Sequence, residues 1–434
     1  MRQIAVPAWF LILASALVPV LAQSPQAPQT TVIVAGRLVD VRAGRVLTNQ
    51  AILIEGERIK EVGPASNINN LATAGTRVID LSSATVLPGL IDTHAHLTSN
   101  ASMGPYESLG VSVPRETLYG VKNARLTLEA GFTTIRNVGA SGYADVALRD
   151  AINDGDLPGP RMLVSGPALG ITGGHCDNSL LAPEFKYEAE GVADGPWAVR
   201  TKVREVAKYG ADLIKICATG GVLSKGDDPG TQQYTLEEMK AIVEEAHKLG
   251  RKVAAHAHGT SGMKDAMRAG ADSIEHASLI DEEGIRMARQ RGTYLVMDIY
   301  NDDYILQEGE RIGLLKESLE KERKIGQLQR DNFARAVKAG AKIAFGTDSG
   351  VYPHGDNARQ FAYMVKYGMS PMEAIRAATL NAASLMGWQD RLGTIEPGKF
   401  ADIVAVAGDP TQNVKLLEKV AFVMKGGQVV RSSK

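Results

Sequence analysis

From residue 31 to residue 86 the chain alternates short apolar runs with turn residues, the runs falling at 32–34, 37–41, 46, 51–55, 58–62 and 78–81. Period-two alternation puts successive side chains on opposite faces, so each run predicts a half-buried strand. Gly56-Glu57 marks a tight hairpin, and the segment as a whole predicts a small antiparallel sheet. The texture returns near the C-terminus at 402–406, 419–425 and 428–431, with Gly426-Gly427 as a turn. The two ends, 23–87 and 391–434, are expected to combine into one small β-sandwich domain.

Between the ends the pattern changes. From Gly89 onward apolar runs alternate with segments of helical period, as in β/α units around a parallel sheet. Strands are expected at 90–96, 133–138, 161–166, 212–218, 252–257, 273–277, 293–298 and 342–347. One helix opens at Thr235, with Glu238 completing a capping pair, and stops at Gly250; another runs from about 314 to 339. Eight strands imply a closed (β/α)8 TIM barrel over 88–390. No glycine-rich phosphate loop follows the first strand, so an open doubly wound sheet is disfavoured. The expected fold class is α/β, with an appended β domain built from both chain ends.

Composition adds most at the N-terminus. Arg2, an apolar run over 4–21 and the small residue Ala22 fit a secretory signal peptide, 1–22, cut after Ala22. Pro7 and Pro19 interrupt the run, which argues against a membrane anchor, and no later segment is apolar for long enough to span a bilayer. The mature protein is expected to be periplasmic or secreted, with no membrane partner. Its 48 basic and 49 acidic residues leave a net charge of -1, which disfavours nucleic acid as a partner. Cys176 and Cys217 are too few for a disulfide scaffold. They could pair with each other or remain as two free thiols.

The candidate chemistry lies at strand ends. His94 and His96 stand two apart on one strand and so project the same way, as do His256 and His258. With His276, five of the eight histidines end short apolar runs. In a barrel those ends meet at one mouth. The same edge carries Arg136-Asn137, Gly173-Gly174-His175, Lys215 with Cys217, and Asp348. Lys215 sits mid-run in Asp212-Leu213-Ile214-Lys215-Ile216, inward by parity, where a bare ammonium is costly. Spacing alone leaves open whether His256 or His258 is a metal ligand.

Six stretches in this order carry a resemblance: Pro88-Gly89-Leu90-Ile91-Asp92-Thr93-His94-Ala95-His96; the Lys215 strand with Ala218-Thr219-Gly220-Gly221-Val222; Ala255-His256-Ala257-His258-Gly259; Ile274-Glu275-His276; Phe345-Gly346-Thr347-Asp348-Ser349; and Gly393-Thr394-Ile395-Glu396-Pro397-Gly398-Lys399-Phe400-Ala401-Asp402. Together they resemble the amidohydrolase superfamily, within it the bacterial metal-dependent Xaa-Pro dipeptidase and imidazolonepropionase-like branch. The resemblance implies two divalent ions, usually zinc, with His94, His96 and Asp348 on one and His256 and His276 on the other. Lys215 would bridge them as a carbamate, which offers two anionic oxygens where an ammonium offers no lone pair. The family favours His256 as the ligand and leaves His258 near the substrate. Relatives often carry an Arg-Asp pair where this chain has Arg136-Asn137, which puts any charged role at 137 in doubt.

The activity so implied is metal-assisted amide hydrolysis, with Asp348 as the catalytic base that passes a proton to the leaving nitrogen. Expected substrates are dipeptides, N-acyl amino acids or aryl amides such as ochratoxin A. Their free carboxylate would be bound by His175 and Tyr234, the positions that match carboxylate-binding residues in relatives. A homo-oligomer is expected. The alternatives are a cyclic amide or lactone hydrolase, and a catalytically silent periplasmic binding protein.

Overall fold

The computed structural model describes residues 29–68 and 75–432. The signal peptide expected at 1–22 lies outside the described residues. Among the described residues no helix is long and apolar enough to cross a membrane.

Strand β1 (Thr30–Asp40) pairs antiparallel with β2 (Arg45–Glu55), and β2 with β3 (Arg58–Pro64). On its other edge β1 runs parallel to β4 (Arg77–Pro88), so the expected all-antiparallel sheet contains one parallel pair.

Two parallel sheets follow. The first holds β5 (Leu90–Ala95), β6 (Phe132–Asn137) and β7 (Arg161–Val164); the second holds β8 (Leu213–Cys217), β9 (Lys252–Ala257), β10 (Ser273–His276) and β11 (Tyr294–Val296). Every residue of β5, β6, β8 and β10 is buried, as expected of strands covered on both faces. At one seam Leu169 N–H donates to Lys215 O at 2.8 Å and Asp212 N–H to Val164 O at 2.7 Å. At the other, Leu295 N–H donates to Lys342 O and Thr93 N–H to Phe345 O, both at 2.9 Å.

The stretch expected as an eighth strand, 342–347, therefore lies between β11 and β5, but only isolated bridges mark it. Just beyond it the φ angles of Asp348 and Gly350, 56° and 117°, turn the chain out of a ladder. The intervening helices include Leu236–Lys248, which begins with the expected Thr235 and Glu238 capping box, and Lys316–Lys338.

Strands β12 (Ile403–Ala407), β13 (Phe422–Lys425) and β14 (Gln428–Ser432) return to the first sheet and give the order β14-β13-β12-β4-β1-β2-β3. The two chain ends thus meet in one seven-stranded sheet, where a sandwich of two facing sheets was expected. The far edge comes back towards the segment before β12: Gly398 N–H donates to Ile59 O and Ala401 N–H to Glu57 O, both at 2.8 Å. Ile33, Ile52, Ile54, Ile403, Phe422 and Met424 form the core that the sheet encloses.

Candidate active site

The C-terminal ends of the parallel strands surround a cavity of about 340 Å³. His94 ends β5 one residue before its last, His96 follows it, and Asp348 comes from the turn after 342–347. Asp348 Oδ1 lies 3.4 Å from His94 Nε2 and 3.2 Å from His96 Nε2. On the facing side, His256, His258 and His276 bring ligand atoms within 4.8 Å of one another. His276 and Asp348 also form a group with Asp298, so the two clusters adjoin. Lys215 lines the same cavity and is 4% exposed. Burial drives its pKa down, against the pull of Glu275 and Asp348.

Each histidine has one ring nitrogen already spoken for. Nδ1 of His94 contacts Glu275 Oε2 at 2.9 Å, and Nδ1 of His276 contacts Asp298 Oδ1 at 2.8 Å. His258 Nδ1 meets Ser278 Oγ at 2.7 Å; that hydroxyl donates to Gln329 and so accepts from the imidazole. His256 Nε2 faces Gly220 O at 3.2 Å, and His96 Nδ1 faces Gly139 O at 3.4 Å. Carbonyl and carboxylate oxygens only accept, so all five rings donate from that nitrogen and keep a lone pair on the other. His94 Nε2 is buried and has no hydrogen-bond partner, as a donor atom awaiting a cation would be. The donor set of imidazole lone pairs and one carboxylate fits a divalent transition ion.

Electrostatics supports neutral rings at His256, His258 and His276. Burial, then neighbouring cationic groups, holds the pKa of His256, His258 and His276 well below the usual histidine value. Glu275 is likewise buried, yet Arg136 Nη2 at 2.8 Å and the His94 ring hold it ionised. The backbone is strained at the same place: His276, Ala277 and Asp348 have φ of 67°, 50° and 56°. Left-handed non-glycine residues of this kind concentrate at functional sites.

Other expected residues fall differently. His175 does reach the cavity and stacks on His256, with ring centroids 4.1 Å apart. Gly221 makes room for it, since a Cβ there would overlap the His175 ring. Burial pushes its pKa down to about 4, against the pull of Asp227. Its Nδ1 donates to Ser224 Oγ at 2.7 Å, whose own proton goes to Asp227, so Nε2 is an acceptor. Tyr234 is not brought to the cavity at all. It is fully buried and donates to Ala193 O at 3.2 Å.

His256 and His258 occupy one group with His276, so the geometry does not choose between them. Asn137 accepts from Leu97 N–H at 2.7 Å and donates to Asp145 at 3.1 Å, tying strand ends together without charge. Cys176 and Cys217 form a disulfide that joins the His175 loop to the end of the Lys215 strand. Asp298, Ser278 and Gln329 were not among the expected residues, and Glu275 stood only within a motif, without a role. Asp298 does end an expected strand, 293–298, and that position was the available signal.

The class of protein follows from this arrangement: a hydrolase with a histidine-rich site at the mouth of parallel strands. The pattern of the Amidohydrolase family matches residues 85–430, and the chain belongs to that family. It is 34% identical over 441 residues to the ochratoxinase of Aspergillus niger, covering 95% of this chain and 89% of that protein. A solved structure of a Xaa-Pro dipeptidase with methionine bound in its active site superposes with TM-score 0.86 at 39% identity, covering 92% of this chain and 99% of that one. The imidazolonepropionase of Fusobacterium nucleatum subsp. nucleatum is 26% identical over 391 residues, covering 82% of this chain and 84% of that protein. The chain is accordingly an enzyme of the carbon–nitrogen hydrolase type.

Proposed function

We propose that this protein is a binuclear metal-dependent amidohydrolase that cleaves the amide of dipeptides, N-acyl amino acids or related aryl amides with a free carboxylate. The observation that carries the reading is the shared cavity in which five histidines each keep one lone pair beside Asp348. His94, His96 and Asp348 would hold one ion, His256 and His276 the other, and a carbamate on Lys215 would join them. Zinc suits this set of nitrogen and oxygen donors. The substrate class draws on the ochratoxinase and on the dipeptidase that holds methionine, an amino acid with a free carboxylate.

Bound divalent ions supply a nucleophile from water at neutral pH and polarise the scissile carbonyl. The rest of the chemistry belongs to the chain. Asp348 turns Oδ1 to His94 and His96, and its Oδ2 receives Asn301 Nδ2 at 3.5 Å. As water attacks the carbonyl carbon, Asp348 takes its proton and passes it to the amide nitrogen as the C–N bond breaks. Glu275 and Asp298 hold the rings of His94 and His276 in register throughout.

The same reading treats the eight parallel segments as one closed barrel over 88–390, flanked by a domain from 23–87 and 391–434. The seam hydrogen bonds support closure. Export after loss of residues 1–22, to the periplasm or the medium, and assembly as a homo-oligomer complete the proposal. Elemental analysis should find about two divalent ions per chain. A screen of dipeptides and N-acyl amino acids should find turnover that depends on the free carboxylate. Equal rates on matched free-acid and amide substrates would instead favour a hydrolase of cyclic amides or lactones, the reading that the imidazolonepropionase likeness supports.

A further inference from the structure

Beyond the histidines, the cavity extends to a recess between helix Asn301–Glu308 and helix Lys316–Lys338. Asp302 and Glu322 face each other there, each 3% exposed, and both line the cavity. Gly326 lets them approach: a Cβ on it would stand 2.5 Å from Glu322 Oε1 and 3.3 Å from Asp302 Cγ. A single guanidinium serves this corner. Arg330 Nε lies 3.1 Å from Asp302 Oδ2, while its Nη2 is committed to Asp303 at 2.8 Å. Among the described residues no ion pair reaches Glu322, and neither its Oε1 nor Asp302 Oδ2 has a hydrogen-bond partner.

Burial first, and then the charge of Asp302, raises Glu322 well above the carboxylate range, and burial pushes Asp302 up to about 7. Asp298 adds to the same repulsion. A second sign is independent of the acids. Asn301, 6% exposed, spends its Nδ2 on Asp298 and Asp348, and its Oδ1 has no partner although it lines the cavity. The groups short of partners here are oxygens. What they lack is N–H donors and positive charge.

We propose that the Asp302–Glu322 recess, together with the unpartnered Asn301 Oδ1 of the same cavity, is a subsite for a cationic group of the substrate, a protonated amine or a guanidinium. Asn301 touches Asp348, so the cation would sit within one side chain of the reacting bond. Ile305, Ile312 and Leu314 line the same cavity and offer an apolar wall for an aliphatic stem. Two sources of the cation fit: the free amino terminus of a dipeptide, or a basic side chain on the residue released. The proposal rests on the hydrolase reading and sharpens it, away from substrates in which every nitrogen is acylated.

Three matched substrates test it, each with a free carboxylate: N-acetylnorleucine, which carries no cation; Nα-acetyllysine, with a side-chain cation; and alanyl-norleucine, with an α-amino cation. We expect kcat/KM to favour at least one cationic substrate by about tenfold or more over N-acetylnorleucine, the range of a charge-assisted hydrogen bond. The favoured substrate identifies the source. Glu322→Gln should bring the ratio of cationic to cation-free substrate back towards one, mainly through KM, with metal content unchanged. No preference in wild type, or a ratio that Glu322→Gln leaves unmoved, overturns the proposal. Should Glu322→Gln fail to fold, Asp302→Asn and the wild-type series decide. If none of the three substrates turns over, the hydrolase reading is what fails, and calorimetry with n-butylamine against n-butanol tests the subsite separately. Binding of the amine alone supports it; no binding, or equal binding, overturns it.

Discussion

The histidines around the cavity are held by two different means, and the division runs across both sides of it. His94 and His276 donate to carboxylates, Glu275 and Asp298, and Glu275 is itself braced by Arg136. His256 and His258 donate to neutral oxygens, the Gly220 carbonyl and the Ser278 hydroxyl. Either partner sets the tautomer and aims the free lone pair. Only the carboxylate also makes the ring more basic and so a stronger ligand. The pair held by carboxyl groups is therefore expected to anchor the site and the pair held by neutral oxygens to tune it, although burial pushes Asp298 up to about 7. Gln329 links one partner of each kind, accepting from Ser278 at 3.0 Å and donating to Asp298 at 3.2 Å.

The largest effect is expected at the group between the two sides. Lys215→Ala should reduce metal content below about one ion per chain and hydrolysis to background, since no other cavity residue can supply a bridging carbamate. Short carboxylic acids added to the variant should restore part of both. A bare lysine by intact mass in an active, two-metal enzyme would contradict the assignment.

Next comes Asp348→Asn, which should lower kcat by about 10²–10⁴ with the fold retained, because an amide does not accept a proton at neutral pH. Circular dichroism and steady-state kinetics on one preparation check it, and near-normal turnover would require another base.

The comparison itself stands or falls on the partners. Glu275→Gln and Asp298→Asn should each weaken metal affinity or activity by about 10- to 100-fold, whereas Ser278→Ala should stay within about tenfold. Metal titration of the three variants against a competing chelator ranks them. Equal losses would show that charge on the partner is irrelevant and orientation is all.

The smallest expected effect is a change of slope. Asp145 is fully buried beneath this site, accepts from Asn137 and Gly166, and is pushed up to about 6 by burial. Its unfolded value is near about 3.9, so between the two the native state holds the extra proton. The stability it contributes is therefore present at about pH 4 and lost as pH rises through about 6. Asp145→Asn should remove that loss, which denaturant melts at pH 4, 5, 6 and 7 would show as a more positive slope of stability against pH.

Periodicity along the chain determined where the strands and helices lie, because a half-buried strand and an amphipathic helix each impose their own spacing on apolar residues. Strand-end position then picked out His94, His96, His256, His258, His276, Lys215 and Asp348, all of which the structure brings to one cavity. Parity along a strand is a local property, so those side chains could be aimed from sequence alone. Pairing partners could not be. The single seven-stranded sheet and the parallel β1–β4 pair depend on which edges meet across the chain. The disulfide of Cys176 with Cys217 depends on a 41-residue separation closing, and the recess of Asp302 and Glu322 on two helices packing at Gly326. Tyr234 shows the same limit from the other side: its phenol was placed by family position, and burial against Ala193 turned it away from the cavity. Local spacing sets the direction of a side chain relative to its own element, whereas its neighbours, and hence its charge and its task, are set by contacts that only the folded chain makes.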